Sequence, residues 1–190
     1  MQNELIESQI FEKVNYTSTP LEKGEYENCL FLSCDFSNSD LKSVIFTECE
    51  FNGCNLSLTK PFGSAFKDIK FINCKILGFH FELCNPFLFE INFENCSLDF
   101  SSFFKLNLKK TSFKNSSLKE VDFAESNLTI AVFDNCDLFD AKFDNTILEK
   151  ADFRTAVNYA LDLEKNTMKG ARFSKEGIIG LLSKYKLDVQ

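Results

Sequence analysis

The sequence predicts an all-β chain wound into a four-sided β-helix and closed at its C-terminal end by a helix. Two spacings carry this expectation. Phenylalanine returns every twenty residues at Phe11, Phe31, Phe51 and Phe71, and again at Phe93, Phe113, Phe133, Phe153 and Phe173. Between these marks a large apolar residue stands at nearly every fifth position. Leu98, Phe103, Leu108, Phe113, Leu118, Phe123, Leu128, Phe133, Leu138, Phe143, Leu148 and Phe153 form an unbroken run. A short fixed period is the mark of a solenoid, in which each coil buries its apolar side chains on the next. A third observation places the helix: beyond Phe173 the period of five gives way to a helical one.

Each five-residue unit can be read in physical terms. Let i be the large apolar residue. In a strand, i−2 and i point to the same side, so both face inward. Position i−2 holds small residues, among them Cys34, Ser39, Val44, Ser101, Thr111, Ala131 and Ala151. Positions i−1, i+1 and i+2 are rich in Asp, Asn, Lys, Ser and Glu and face outward. Five is odd, so a straight strand would turn the next unit inside out; a corner between units restores the orientation. The alternation of Phe and Leu after Phe93 shows a period of ten, which by itself does not prove twenty. A two-sided coil is too flat to enclose stacked phenyl rings, and four sides close naturally.

The chain divides as follows. Residues 1–10 are a lead-in, 11–173 the repeat, and 174–190 a terminal helix with a short strand. Pro61 falls on a large position, so Phe62 is expected to take the core place in a kinked side. The register moves by two between Phe81 and Leu88, which marks an insertion near 82–87. Proline cannot donate to a β-ladder, so Asn85, Pro86 and Phe87 are expected to form a projecting corner able to touch a partner. Asn158 replaces an apolar residue, and the coil should loosen there before Leu163 and Met168 resume it. Ser174 can cap the terminal helix, where Ile178, Ile179, Leu181, Leu182 and Tyr185 give a helical apolar stripe. Gly177 and Gly180 weaken that helix by about 1 kcal/mol each relative to Ala. Lys186-Leu187-Asp188-Val189 alternates like an edge strand. These elements, Leu187 included, should cap the raw end of the solenoid and offer an isologous homodimer contact.

Composition bounds the function. The net charge is −7, from 28 acidic and 21 basic residues. That speaks against direct nucleic-acid binding, which needs cations to displace phosphate counterions. The N-terminus lacks a cationic and apolar signal segment and no run approaches a membrane span, so a cytoplasmic protein without membrane contact is expected. Seven of the eight cysteines follow the repeat at i−2 and read as reduced, structural thiols. There is one histidine, no CxxC pair and no phosphate loop. No enzyme, metal site, cofactor or small-molecule substrate is therefore expected.

Charge is unevenly placed. Lys105, Lys109, Lys110, Lys114 and Lys119 form a basic band. Glu120, Asp122, Glu125, Asp137, Asp140 and Asp144 follow it and should gather near one edge of the prism as a candidate partner-binding stripe. Cys34-Asp35-Phe36-Ser37-Asn38, Cys136-Asp137-Leu138-Phe139-Asp140 and Ala151-Asp152-Phe153-Arg154-Thr155 resemble the pentapeptide-repeat family, whose unit reads roughly A/C-D/N-L/F-X-X. The resemblance covers about nine tenths of the chain and implies a right-handed quadrilateral β-helix. Within the family, the segment from Cys29 to Leu41 and the helix Gly180–Val189 resemble the Qnr-type quinolone-resistance proteins. That resemblance implies a DNA-mimicking dimer that binds DNA gyrase and topoisomerase IV and protects them from quinolones. Phe51-Asn52-Gly53-Cys54 keeps time where many Qnr proteins carry their first long loop, and the basic band breaks the uniform negative charge of a mimic. The alternative is a non-catalytic interaction scaffold with an unrelated partner.

Overall fold

The computed structural model describes residues 4–187. The chain is a right-handed quadrilateral β-helix of parallel strands with one short helix at its C-terminal end. Two sides are regular enough to form sheets. The first side carries β1 (Glu4–Glu7), β3 (Gly24–Glu27), β5 (Ile45–Thr47) and β7 (Ala65–Lys67). The second carries β2 (Ile10–Glu12), β4 (Leu30–Leu32), β6 (Glu50–Asn52), β8 (Ile69–Ile72), β9 (Ile91–Glu94), β10 (Ser112–Lys114) and β11 (Val132–Asp134). The third and fourth sides are ladders of single bridges, such as Asn15 to Asp35 to Asn55 and Ser102 to Asp122 to Lys142. Pairing already begins at Glu4, opposite Gly24, so the repeat takes in most of the expected lead-in.

The corners explain how an odd unit keeps its orientation. The amide of Ser39 donates to the Phe36 carbonyl (3.0 Å), and Val44 to Leu41 in the same way, so each corner closes as a tight turn. The residue at i+2 sits in the left-handed region: Asn38 at φ 56°, Glu120 at 56°, Asp140 at 54°. That conformation costs an L-residue about 1–2 kcal/mol. The amide of Asn38 offsets this by reaching the Ser57 carbonyl of the next coil (3.0 Å). On the corner after the second side, asparagine answers the same demand and adds a ladder. Asn95 donates to Asn73, Asn115 to Asn95 and Asn135 to Asn115, each at 3.2 Å. Replacing Asn115 by Val should cost about 2–3 kcal/mol, from a β-branched residue in the left-handed region and two lost amide bonds. Urea unfolding of the variant checks this.

Inside, Phe11 to Phe173 form one continuous stack on the second side, with centroid spacings of 4.7–5.4 Å. Phe81, Phe103, Phe123 and Phe143 stack on the fourth side, opposite. The two stacks meet edge to face, as Phe113 does Phe123 at 5.7 Å and 81°, the geometry that aromatic quadrupoles favour. Leucines fill the remaining two sides in this half, which is the origin of the period of ten. All eight cysteines are free and buried. Position i−2 selects more than small size. Cys34, Cys54 and Cys74 point their thiols at the carbonyls of Phe11, Phe31 and Phe51 (3.2–3.3 Å), and Ser101 bonds Ile76 in the same way (2.7 Å). Burial pushes the Cys49, Cys84 and Cys136 thiols up to about 12, so they stay protonated and inert.

Four local expectations are corrected. Pro61 is itself buried in the core place, and Phe62 points outward at 62% exposure. The ring fills the apolar slot while the missing N–H leaves the His80 carbonyl to accept from Leu83 (3.2 Å) in a 3-10 turn, Phe81–Leu83. Second, the extra residues fall between Asn85 and Ile91, so the insertion overlaps only the end of the expected 82–87. Ala65 still pairs with Asn85, twenty on, whereas Ile69 pairs with Ile91, twenty-two on. Third, Leu88 is exposed at φ 55°, and Phe89 packs against the core instead. Fourth, after Asn158 it is Tyr159 and Leu161 that turn inward, while Leu163 is exposed; Met168 packs on the core as expected.

At the C-terminal end, 3-10 turns Glu176–Ile178 and Ser183–Tyr185 flank the α-helix α1 (Ile179–Leu182). Ser174 Oγ accepts from Gly177 N–H at 2.9 Å. Only Leu181 of the expected stripe packs on the core; Leu182 is half-buried, and Ile178, Ile179 and Tyr185 are exposed. Lys186 ends the helix in the left-handed region and Leu187 is not in a strand. Asp188 and Val189 lie outside the described residues.

Candidate protein-binding surface

The acidic residues fall where the register puts them, but most are engaged. Asp122 lies on the fourth side, one rung from Lys142, and accepts from Ala124 N–H at 2.8 Å. Glu125 pairs with Lys105 (3.3 Å), Asp137 with Lys119 (3.2 Å) and Asp144 with Lys165 (2.9 Å). Burial works against ionisation of Asp137, yet the bonds from Asn158 and Lys119 outweigh it and hold its carboxyl below the usual carboxylate range. Glu120 and Asp140 alone are exposed and make no ion pair among the described residues. They stack on the corner between the third and fourth sides, since Glu120 N–H reaches the Phe139 carbonyl of the next coil. The basic band thus interleaves with the acidic stretch instead of flanking it.

The same corner is apolar lower down. Leu58 and Phe100 are each 58% exposed, with Gly78 between them. Gly78 has φ 60°, and a Cβ there would stand 3.0 Å from Leu58 Cδ2, so glycine both makes the turn and lets Leu58 lie across it. On the adjoining fourth side, Phe62 and Leu83 are exposed; Phe87 and Leu88 are exposed too but lie one side further on, on the bulge after Asn85, which pairs with Ala65 of β7 on the first side. Leu58, Pro61, Phe62, Gly78, His80 and Leu83 line a shallow groove of about 180 Å³. In its middle, His80 Nδ1 meets Glu82 Oε1 at 2.8 Å. Lys42 lies over the Phe62 ring (5.8 Å), and Lys105 over Phe104 (4.6 Å), close enough for cation–π attraction. The sequence singled out Phe62 and Phe87 but not Leu58, Leu83, Leu88 or Phe100. The left-handed corner places Leu58, Leu88 and Phe100 at i+2, and an apolar residue at i+2 is the signal that could have found them.

Among the described residues, no cluster of three or more His, Cys, Asp or Glu side chains could hold a metal ion, and no helix is long and apolar enough to cross a membrane. A larger concavity of about 500 Å³ lies beside the C-terminal helix, lined by Phe139, Val157, Tyr159, Gly177, Ile179 and Gly180 among others. The buried Tyr159 hydroxyl has no hydrogen-bond partner there.

Comparison with known proteins agrees with this architecture. The family model described as "Pentapeptide repeat region" matches residues 43–123, and that described as "Pentapeptide repeats (8 copies)" matches 27–57 and 116–154. No curated protein gives a significant match. Among solved structures, QnrB1, a plasmid-mediated fluoroquinolone resistance protein, is 15% identical with a TM-score of 0.64, covering 100% of both chains. HetL from the cyanobacterium Nostoc sp. strain PCC 7120, a pentapeptide repeat protein involved in heterocyst differentiation regulation, is 13% identical with a TM-score of 0.67, covering 92% of this chain and 86% of its own. The two repeat models together run from residue 27 to 154 over the same coils that the structure stacks, and the chain belongs to the pentapeptide-repeat family.

Proposed function

We propose that this protein is a non-catalytic, cytoplasmic scaffold that binds a protein partner through the apolar strip on its fourth side. The observation that carries this reading is the exposure of Leu58, Phe62 and Leu83, each 45–62%, around one groove, with Phe100 exposed on the same corner as Leu58. A covered aromatic side chain removes about 150–250 Å² from water. Three large apolar side chains roughly half exposed at one groove leave apolar surface on the order of 300 Å², the size of patch that on a monomer is often functional. Eight buried, unpaired thiols suit a reducing compartment.

The test is site-specific cross-linking from a photoreactive phenylalanine analogue at position 58 or 62 in the host cell, with position 112 on the second side as control. The expected result is one shared adduct from 58 and 62, none from 112, and its loss in Leu83→Lys. Equal labelling from 112, or no adduct from either strip position, overturns the reading.

A second reading is a DNA mimic that binds DNA gyrase or topoisomerase IV. The unpaired acids Glu120 and Asp140 favour it, together with a fold shared with QnrB1 along the whole chain. Against it stand the ion pairs of Glu125, Asp137 and Asp144, which a DNA-binding surface would have to break.

A further inference from the structure

We infer that the two ends of the rod are complementary and that copies of this chain join head to tail. The ends differ in charge. Residues 4–30 carry six glutamates against Lys13 and Lys23, a net −4, whereas residues 161–187 carry five lysines and Arg172 against Asp162, Glu164 and Glu176, a net +3. Both windows have the same length, so the contrast is one of composition and not of span.

The ends also differ in covering. β1 and β2 are the outermost strands of their sheets, so their outer edges have no pairing partner among the described residues. Phe11 stacks on Phe31 at 4.9 Å, with no ring on its other face, and Ile6, Phe11 and Val14 occupy core places yet are only half-buried. Leu5 and Ile10 beside them are 55% and 66% exposed. A solenoid end of this kind exposes apolar surface that a cap or a neighbour must cover. The opposite end is covered by the α1 segment, whose outer face shows Ile178 and Ile179 at 47% and 56% exposure. Lys169 and Lys175 flank it and form no ion pair among the described residues. One end thus offers apolar residues on strands that carry Glu4, Glu7 and Glu12, and the other apolar residues in a segment of net positive charge.

The occupant that fits each end is therefore the other end of a second copy. A twofold contact through Ile178 and Ile179 would set Lys169 and Lys175 against their own copies, whereas the head-to-tail contact sets them against glutamates. Such a heterologous contact does not close and generates a linear chain of rods. Because the charges are exposed, the contact weakens with salt, the screening length falling from about 30 Å at 0.01 M to about 3 Å at 1 M.

Sedimentation velocity of the full chain over a range of concentrations tests this. At low salt the mean mass should climb past the dimer without a plateau, and at high salt it should fall to the monomer. The triple variant Glu4→Lys, Glu7→Lys, Glu12→Lys and the double variant Lys169→Glu, Lys175→Glu should each weaken association about tenfold or more. Mixing these two variants should restore it, because each then presents the ends the other lacks; circular dichroism of each variant confirms that it is folded. A mass that stays monomeric at low salt, a plateau at the dimer, or a mixture no more associated than its components overturns the inference.

Discussion

Phe123→Ala should lower the unfolding free energy by about 3–5 kcal/mol, the range for deleting a fully buried ring. Phe123 is 0% exposed. Its ring stacks between Phe103 at 5.2 Å and Phe143 at 5.1 Å, and meets the edges of Phe113 and Phe133. The cost is expected near the top of the range for two reasons. The neighbours belong to a hydrogen-bonded ladder with fixed rung spacing, so the wall cannot collapse into the cavity. The aromatic contacts are also worth about 0.5–1.5 kcal/mol each beyond area burial. Equilibrium urea unfolding measures the loss, and a cost under about 1 kcal/mol would show that the rings are not packed as described. Because each coil touches only its neighbours, the variant should also broaden the transition as the array splits at the defect.

Gly180→Ala should detach the C-terminal cap. A Cβ at Gly180 would stand 2.3 Å from the Tyr159 carbonyl oxygen and 2.8 Å from its ring. The first of these is backbone and cannot swing away. The carbonyl of Gly180 itself accepts the Leu161 amide at 3.1 Å, which ties the helix to the last coil. Alanine ordinarily favours a helix over glycine by about 1 kcal/mol, so helix propensity alone predicts stabilisation. Overpacking costs about 1–3 kcal/mol and reverses the sign. Amide exchange should show residues 176–185 losing protection while the middle coils keep theirs. A more stable, fully protected helix would contradict the packing.

These two residues show what was legible in the sequence and what was not. Phe123 belongs to a spacing that repeats, and a repeated spacing announces its own geometry. The square section, the inward i−2 slot and the free cysteines follow from it. Gly180 belongs to no repeat. Its sequence reading as a helix weakener was incomplete because the reason for glycine lies in Tyr159, which takes the core place that the rhythm assigns to Asn158. Phe62 misled for a related reason: apolar size suggested burial, whereas Pro61 has enough apolar surface to fill the slot. Phe79 is buried at i−2, tilted against Phe81 at 4.3 Å, and a rule of small residues at that position misses it. The candidate surface was half legible. Charge could be counted along the chain, but which acids were neutralised depended on partners twenty residues away, as Glu125 is by Lys105. The exposed Leu58 and Phe100 could be recognised only once the left-handed corners were placed.

The central claim is that this rod works through an apolar side and not as a counterfeit of nucleic acid. DNA gyrase supercoiling with and without ciprofloxacin, titrated with the wild-type protein and with Glu120→Lys/Asp140→Lys, tests it most directly. The account predicts that neither protein restores drug-blocked supercoiling nor inhibits the drug-free reaction at micromolar concentration. Rescue or inhibition by the wild type that disappears in the double variant would contradict it and establish the acidic corner as the working surface.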